Sequence, residues 1–272
     1  MNNIMIMYHY IRDKSKFNAF TTKQFNNQLQ LIKDKGYRFI TIKELIIDNP
    51  DDKTCCLTFD DGIKDGFTNA LPILQEFDAV ATFFIPMRIF IIDEILNIQK
   101  RHLLLAKLGE KGFIKEFDYF AGEEYTSKNI NEFKYMLDHM DNFILNQIFN
   151  RYFNESVEFT KIYLNREDVK ELSSCGMEIG THGFNHCYLG EMSYNKIKEE
   201  TRLSYGICKN LFQIPFSMSY PMGSYTPLVG KIMKLVGYKA GATTTKLNNI
   251  SLDTNPFQLN RYDCIDKEIG EL

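Results

Sequence analysis

Eight short β-type runs alternating with helical patterns constrain the fold of this 272-residue chain more than any other feature. The runs are rich in β-branched, aromatic and other apolar residues, and this alternation is typical of parallel strands joined by helical crossovers. Eight such units favour a closed (β/α) barrel of the α/β class over an open sheet. The predicted strands cover residues 4–8, 38–41, 54–59, 80–85, 177–180, 216–220, 239–243 and 257–262.

Residues 88–163 interrupt this alternation between the fourth and fifth predicted strands. The segment carries long helical patterns, and no strand is predicted in it. Because 44% of the residues are apolar, the chain can bury a large core, so we expect a single domain, residues 1–272, that carries this segment as a helical insertion. Its apolar stripes either pack on each other and on the barrel, or form a substrate lid or a surface for homo-oligomerisation.

Charge and composition exclude several classes of protein. A net charge of −3 and a pI near 6.0 predict no basic face for a phosphate backbone, so nucleic acid is not expected as a partner. The sequence has no run of 18 apolar residues that would predict a membrane span. Its first residues, MNNIMIMYHY, lack the basic region and cleavage site of a signal peptide, so we expect a cytoplasmic protein. The spacing of the six cysteines does not match a zinc ribbon, and reduced thiols are expected.

Two adjacent acidic residues, Asp60 and Asp61, follow the strand predicted at 54–59. Barrel enzymes place reactive groups at the carboxyl ends of their strands, so this pair is a candidate for chemistry. A helix cap or a turn is the structural alternative for such a pair.

Two histidines, His182 and His186, lie in the loop that follows the strand predicted at 177–180. Two imidazoles four residues apart are a metal-ligand signal, although ordinary polar loop residues can also have this spacing. Two neutral imidazoles and one carboxylate can hold Zn²⁺ or a similar ion and leave positions open. The second carboxylate then stays off the metal and can accept a proton from water.

Three motifs resemble those of the polysaccharide deacetylases, a carbohydrate esterase family that removes N-acetyl groups from amino sugars. They are TFDDG at 58–62, THGFNH at 181–186 and SYPMG at 219–223, supported by MYH at 7–9, ATFFI at 81–85 and the Leu-x-Arg at 259–261. The resemblance implies a distorted (β/α) barrel and an ion that is usually zinc. It also implies that Asp60 is the general base and that Asp61, His182 and His186 are the metal ligands.

The third motif departs from the family pattern at two positions. Ser219 stands where typical members have an arginine, and Met222 stands where they have an aromatic residue. The backbone N–H of Met222 can still donate to an oxyanion, because a main-chain donor does not depend on the side chain. Arg261 is a candidate to replace the missing arginine by orienting Asp60, and a surface or salt-bridge arginine is the alternative.

The general acid also requires a different residue from the family's usual one. Most relatives end with a Leu-x-His motif, whereas no histidine follows His186 here, which leaves His9, His102 and His139. In a closed barrel the first and last strands are neighbours, so His9 can reach the same rim. This arrangement resembles the circularly permuted branch of the family, known from deacetylases of poly-N-acetylglucosamine. We therefore predict His9 as the general acid, against the alternative of a structural histidine at a strand end.

The expected activity is metal-dependent removal of an N-acetyl or N-acyl group from an amino sugar, with an intracellular glycan precursor as the expected substrate. Two alternatives stay open at this point. One is a hydrolase of a non-sugar amide or ureide that uses the same type of metal site. The other is a catalytically silent carbohydrate-binding protein that keeps the metal only for its structure.

Overall fold

The computed structural model of the chain describes residues 3–13, 19–50, 53–122, 133, 136–137, 142–245, 255–266 and 269–270. The chain divides into two compact units. The first comprises Met1–Asp13, Ala19–Ile91 and Tyr163–Leu272, and the second comprises Lys14–Asn18 and Ile92–Ile162.

The first unit is built on an eight-stranded parallel sheet. Its spatial order is β7-β6-β5-β4-β3-β1-β8, and β2 pairs with β3. The curled sheet forms a half-barrel, which confirms the predicted α/β class and the distorted (β/α) barrel. The strands are β1 (Asn3–Tyr8), β2 (Arg38–Phe39), β3 (Thr54–Phe59), β4 (Ala81–Ile85), β5 (Glu178–Thr181), β6 (Ser217–Ser219), β7 (Ala240–Ala242) and β8 (Tyr262–Asp263).

The last segment of the sheet lies beside strands from both ends of the chain. Leu259 pairs with Ala242 of β7, and β8 pairs with β1 through the contact of Tyr262 with Ile6. The strand predicted at 257–262 is therefore mostly wrong: only an isolated bridge and a two-residue strand form. The segment changes neighbours within three residues, so neither pairing extends into a longer ladder.

Helices cover the strands of the first unit, and side-chain caps begin several of them. The capping box that Thr21 and Gln24 predict is present at α1. Thr41 forms a second capping box with Glu44 at α2, so the strand predicted at 38–41 ends at Phe39. The helices are α1 (Thr22–Asp34), α2 (Ile42–Asp48), α3 (Leu71–Glu76), α7 (Arg166–Ser174), α8 (Tyr194–Leu211) and α9 (Pro227–Val236).

The interior of the curled sheet is apolar. Every residue of β1 and β3 is buried, as expected for parallel strands that are covered on both faces. Met5, Cys56, Phe84, Ala240 and Leu259 meet in one cluster, although they come from distant parts of the sequence. Their convergence ties the two ends of the chain to the middle of the sheet.

One buried acid interrupts this apolar interior near the amino ends of the strands. Glu178 of β5 accepts hydrogen bonds from the Lys43 N–H at 2.9 Å, the Thr82 hydroxyl at 3.0 Å and the Ser217 hydroxyl at 2.8 Å. Burial raises the pKa of Glu178, although these donors oppose the shift. The carboxyl group thus joins α2, β4, β5 and β6.

The second unit is helical in its described part, which contains no strand. Its helices are α4 (Asn97–Ala121), α5 (Phe143–Tyr152) and α6 (Glu155–Ile162). Within it, Phe133 makes edge-to-face contacts with Phe113 and Phe117, and the buried Lys100 pairs with Glu155 at 2.7 Å. The predicted role of this segment as a lid or oligomerisation surface stays a prediction. Among the described residues, no helix has the length and apolar character needed to cross a membrane.

Candidate metal centre and active site

The candidate residues selected from the sequence follow four strands of the same parallel sheet. His9 follows β1, Asp60 follows β3, His182 follows β5 and Met222 lies three residues beyond β6. Because parallel strands place their carboxyl ends at one edge, these loops lie on the same rim. His102 lies on α4 of the second unit, and His139 lies outside the described residues.

Asp61, His182 and His186 form a buried cluster that could hold a metal ion. One ligand atom from each residue lies within 4.8 Å of the others. The Asp61 Oδ1 atom is 3.1 Å from Nε2 of His186 and 3.3 Å from Nε2 of His182. The structure therefore brings together the three residues that the sequence predicts as ligands.

The two distances from Asp61 match those of a tetrahedral zinc site. With Zn–N and Zn–O bonds of about 2.0–2.1 Å and tetrahedral angles, two ligand atoms on one ion are about 3.3 Å apart. The observed separations of 3.1 and 3.3 Å are close to that value. Two imidazoles and one carboxylate also suit a borderline-soft divalent ion, and they leave coordination positions open. The residues present thus fit the ion that the sequence motifs imply.

Ser219 orients one of the imidazoles. The Ser219 hydroxyl is 2.6 Å from Nδ1 of His182, and the Ser219 carbonyl is 3.0 Å from the same nitrogen. With Nδ1 occupied, Nε2 is the nitrogen that faces Asp61. Contacts of this kind fix the ring and tautomer of metal-binding histidines.

Asp60 has different partners from its neighbour. Its two carboxylate oxygens accept parallel hydrogen bonds of 2.8 Å from Nη1 and Nη2 of Arg261. The guanidinium is fully buried and also donates to the Thr58 hydroxyl at 3.1 Å and the Thr243 carbonyl at 2.8 Å. Arg261 is therefore a buried salt-bridge partner of Asp60 and not a surface arginine. The hydroxyl of Ser219, which stands where the family has its arginine, also reaches Asp60 at 3.3 Å.

The surroundings keep both aspartates ionised. Burial opposes ionisation of Asp60, but Arg261, His182 and His9 outweigh it and lower the pKa of this carboxyl. Burial likewise opposes ionisation of Asp61, and the two imidazoles of His186 and His182 lower its pKa well below the ordinary value. The adjacent acids thus stay charged for different reasons, one beside a guanidinium and the other beside two imidazoles.

His9 lies at the same rim as the two aspartates. It directly follows Tyr8, whose carbonyl accepts the N–H of Asp60 at 2.9 Å, so the ends of β1 and β3 are joined at this point. His9 is half-buried, and it lies close enough to both carboxyl groups to interact with them electrostatically. The position is consistent with a proton donor at the site, and the role itself stays a prediction.

Backbone strain is concentrated on the loops of the site. Five non-glycine residues of the described chain have positive φ, and three of them belong to the three motifs: Asp61 at 69°, His186 at 56° and Met222 at 53°. Left-handed backbone at non-glycine residues is uncommon and clusters at functional sites. Gly62 also has a φ of 64°, and a Cβ atom there would lie 2.8 Å from Ile85. The sequence reading did not predict this strain.

One further residue, Glu200, supports the site and was not predicted from the sequence. The buried carboxylate of Glu200, on α8, accepts the N–H of Asn185 at 3.0 Å, the N–H of Phe184 at 3.3 Å and the side-chain amide of Asn185. These bonds hold the turn between His182 and His186. A signal was present, because Glu200 falls in the helical phase of the buried positions of α8.

Comparisons with known proteins agree with this architecture. The family model described as polysaccharide deacetylase matches residues 47–113 and 117–241. The curated protein YxkH of Bacillus subtilis (strain 168) is 22% identical over 246 residues, which are 88% of this chain and 63% of YxkH. The chain therefore spans less than two thirds of that relative's length.

Solved structures with this fold extend the comparison. The Streptococcus pyogenes deacetylase PplD in complex with acetate has a TM-score of 0.65 and 23% identity, covering 97% of this chain and 92% of PplD. IcaB from Ammonifex degensii has a TM-score of 0.64 and 16% identity, covering 99% of this chain and 94% of IcaB. These likenesses establish the fold over nearly the whole length of the chain.

Proposed function

Because the chain belongs to the polysaccharide deacetylase family, we propose that it is a metal-dependent amide hydrolase that removes an N-acetyl group from an amino sugar. The family resemblance inferred from the three motifs is confirmed, and the position of His9 ahead of these motifs, with no histidine after His186, is consistent with the circularly permuted branch. The observation that best supports the activity is the separation of two adjacent buried carboxylates. Asp61 faces two imidazoles, whereas Asp60 is held by Arg261.

In the proposed reaction, residues of this chain hold the metal ion and transfer protons at the scissile amide. A divalent ion held by Asp61, His182 and His186 would polarise the acyl carbonyl and lower the pKa of a water molecule. Asp60 accepts a proton from the attacking water, and His9 donates a proton to the departing amine nitrogen. The carbon–oxygen bond forms first and gives a tetrahedral oxyanion; the carbon–nitrogen bond then breaks as the nitrogen is protonated, and acetate and a free amine leave.

Two groups complete this assignment. The N–H of Met222 donates to the oxyanion that develops on the acyl oxygen, a role suited to a strained loop at the rim. Arg261 orients Asp60 through two parallel hydrogen bonds and keeps it ionised. We further propose zinc as the ion, because two imidazoles and one carboxylate suit it. We also propose an intracellular glycan precursor as the substrate of a cytoplasmic enzyme.

Acetate release from candidate substrates, followed by mass spectrometry, tests the function. The panel contains N-acetylglucosamine oligosaccharides, a nucleotide-linked N-acetyl sugar, a non-sugar amide and a ureide. We expect the zinc-loaded protein to deacetylate a sugar and Asp60→Asn to be about 10²–10⁴-fold slower. Asp48→Asn, at an exposed position of α2, is the matched control and is expected to behave as wild type.

The other outcomes separate the alternatives. Equal acetate release by wild type and Asp60→Asn would show that the base is assigned wrongly. Hydrolysis of the amide or ureide alone would replace the sugar substrate, and sugar binding without turnover would identify a silent binding protein.

A further inference from the structure

The outer wall of the first unit carries a groove between α8 and α9 with a volume of about 640 Å³. Its lining is a mixture of cationic, aromatic and aliphatic side chains, and it is separate from the metal centre. The lining residues that matter here are Tyr194, Lys198, Arg202, Tyr205, Lys209 and Leu235.

The two helices are strongly basic, although the whole chain has a net charge of −3. Together α8 and α9 carry six lysine and arginine residues but only two acids, and one of those acids, Glu200, is buried against the histidine loop. The net charge predicted no basic face, so this local asymmetry corrects that expectation. A net charge cannot show how charges are distributed between faces.

The cations of the groove are available to a ligand. Lys198, Arg202 and Lys209 are exposed, and none of them forms an ion pair within the described chain. Lys198 and Arg202 are four residues apart and therefore lie on the same face of α8. The Lys198 ammonium lies 5.8 Å from the centre of the Tyr194 ring. Three uncompensated cations in one groove attract an anionic group.

Two further features shape the groove for a ligand that also has an apolar part. Gly206 lies in the middle of α8, and a Cβ atom added there would meet no other atom within 4 Å. Glycine within a helix costs about 1 kcal/mol relative to alanine, and here it leaves the groove open. Leu235 lines the same groove and is 77% exposed, the largest value among the exposed large hydrophobic residues of the described chain.

We propose that this groove binds the phosphate headgroup of an anionic phospholipid and attaches the first unit to the surface of a membrane. An anionic bilayer supplies phosphate for Lys198 and Arg202 and hydrocarbon for Leu235, whereas a soluble polyanion supplies only the charge. The tyrosines suit the boundary between these layers, since their rings are apolar and their hydroxyls polar. This attachment does not depend on the proposed deacetylase activity.

Co-sedimentation of the full chain with vesicles tests the proposal. The vesicles contain either phosphatidylcholine alone or phosphatidylcholine with phosphatidylglycerol. We expect binding only to the anionic vesicles, weakened by salt because screening shortens the range of the attraction. Each lysine or arginine near an anionic surface contributes about 1 kcal/mol, so Lys198→Gln with Arg202→Gln is expected to weaken partitioning about 30-fold.

Matched variants make the test specific. Lys23→Gln with Lys170→Gln removes the same charge from exposed positions on α1 and α7, and we expect less than a threefold change. Gly206→Gln fills the groove without altering its charge and is expected to weaken vesicle binding at least fivefold. Circular dichroism checks that each variant is folded.

Several outcomes would overturn the proposal. These are no binding of wild type to anionic vesicles, equal loss in the two double variants, and unchanged binding of Gly206→Gln. Glycerol phosphate is the soluble arm of the test. If it abolished vesicle binding at concentrations equal to those of the accessible lipid, the groove would be a site for a soluble phosphate compound instead.

Discussion

Removal of the Arg261 guanidinium tests how the site holds Asp60, the carboxylate that is not assigned as a metal ligand. In Arg261→Met, the Asp60 carboxylate, only 2% exposed, loses both 2.8 Å hydrogen bonds, and the Thr243 carbonyl loses its 2.8 Å donor. Breaking a buried ion pair by removing one partner costs about 3–5 kcal/mol, because a buried charge is left uncompensated. We expect this loss in the free energy of unfolding of the first unit at pH 7.

Urea unfolding of the metal-free protein, followed by circular dichroism, measures this loss. Arg166→Met, which removes an exposed arginine that donates to the Phe90 carbonyl, is the control and is expected to change stability by less than about 0.5 kcal/mol. In the Asp60→Asn background, Arg261→Met should cost about 1.5–3 kcal/mol less, because no buried carboxylate remains unpaired.

The pH dependence of the same pair has a definite sign. Arg261 lowers the pKa of Asp60 in the folded state below the ordinary value of 3.8. The pair therefore stabilises the fold above that value and loses its contribution as the pH falls through the lowered native pKa. An equal cost for Arg261→Met and Arg166→Met, or a cost that does not change in the Asp60→Asn background, would refute this reasoning.

Three other substitutions probe separate parts of the first unit. Asp61→Asn is expected to lose zinc, measured by metal analysis after gel filtration, whereas Asp60→Asn keeps it; equal zinc content in both would contradict the ligand assignment. Glu200→Ala should weaken zinc binding about 10–100-fold in a chelator competition, with Glu199→Ala as the unaffected control. Burial favours the neutral acid of Glu178 and raises its pKa in the folded state above the ordinary value of 4.5. The contribution of Glu178 to stability is therefore complete below about pH 4.5 and is lost as the pH rises through the raised pKa. Glu178→Gln should therefore gain stability relative to wild type between pH 4 and 8, and parallel unfolding curves would exclude this.

The strands that could be predicted best from the sequence are those in which every residue is buried. The predicted strand 54–59 matches β3 because all six of its residues are buried between neighbouring strands and helices, which leaves a continuous apolar and β-branched run. At Thr41 two local signals competed. The apolar run predicted a strand, but Thr41 and Glu44 form a capping box, so the chain begins α2 instead.

The predictable part of the site was the identity of its residues, since motif spacing places them at strand ends. The sequence also offered Arg261 as a partner of Asp60, but the burial and the geometry of this pair depend on tertiary contacts. Arg261 reaches Asp60 from 201 residues away, and its burial follows from the last segment lying between β7 and β1. The helical phase of α8 indicated that Glu200 is buried, but its partners could not be predicted, because two of them are backbone N–H groups, which every sequence possesses.

The junction between the two ends of the chain also affects how the protein is made. His9 and Arg261 are separated by 252 positions, so a ribosome working at 5–20 residues per second needs about 13–50 s between them. During that interval β1 lacks its partner β8, and the nascent polypeptide exposes an unpaired apolar strand edge. We therefore expect Asp60 to gain its ion-pair partner only after residue 261 has been synthesised, and chaperones that cover nascent β1 to increase the yield of folded protein.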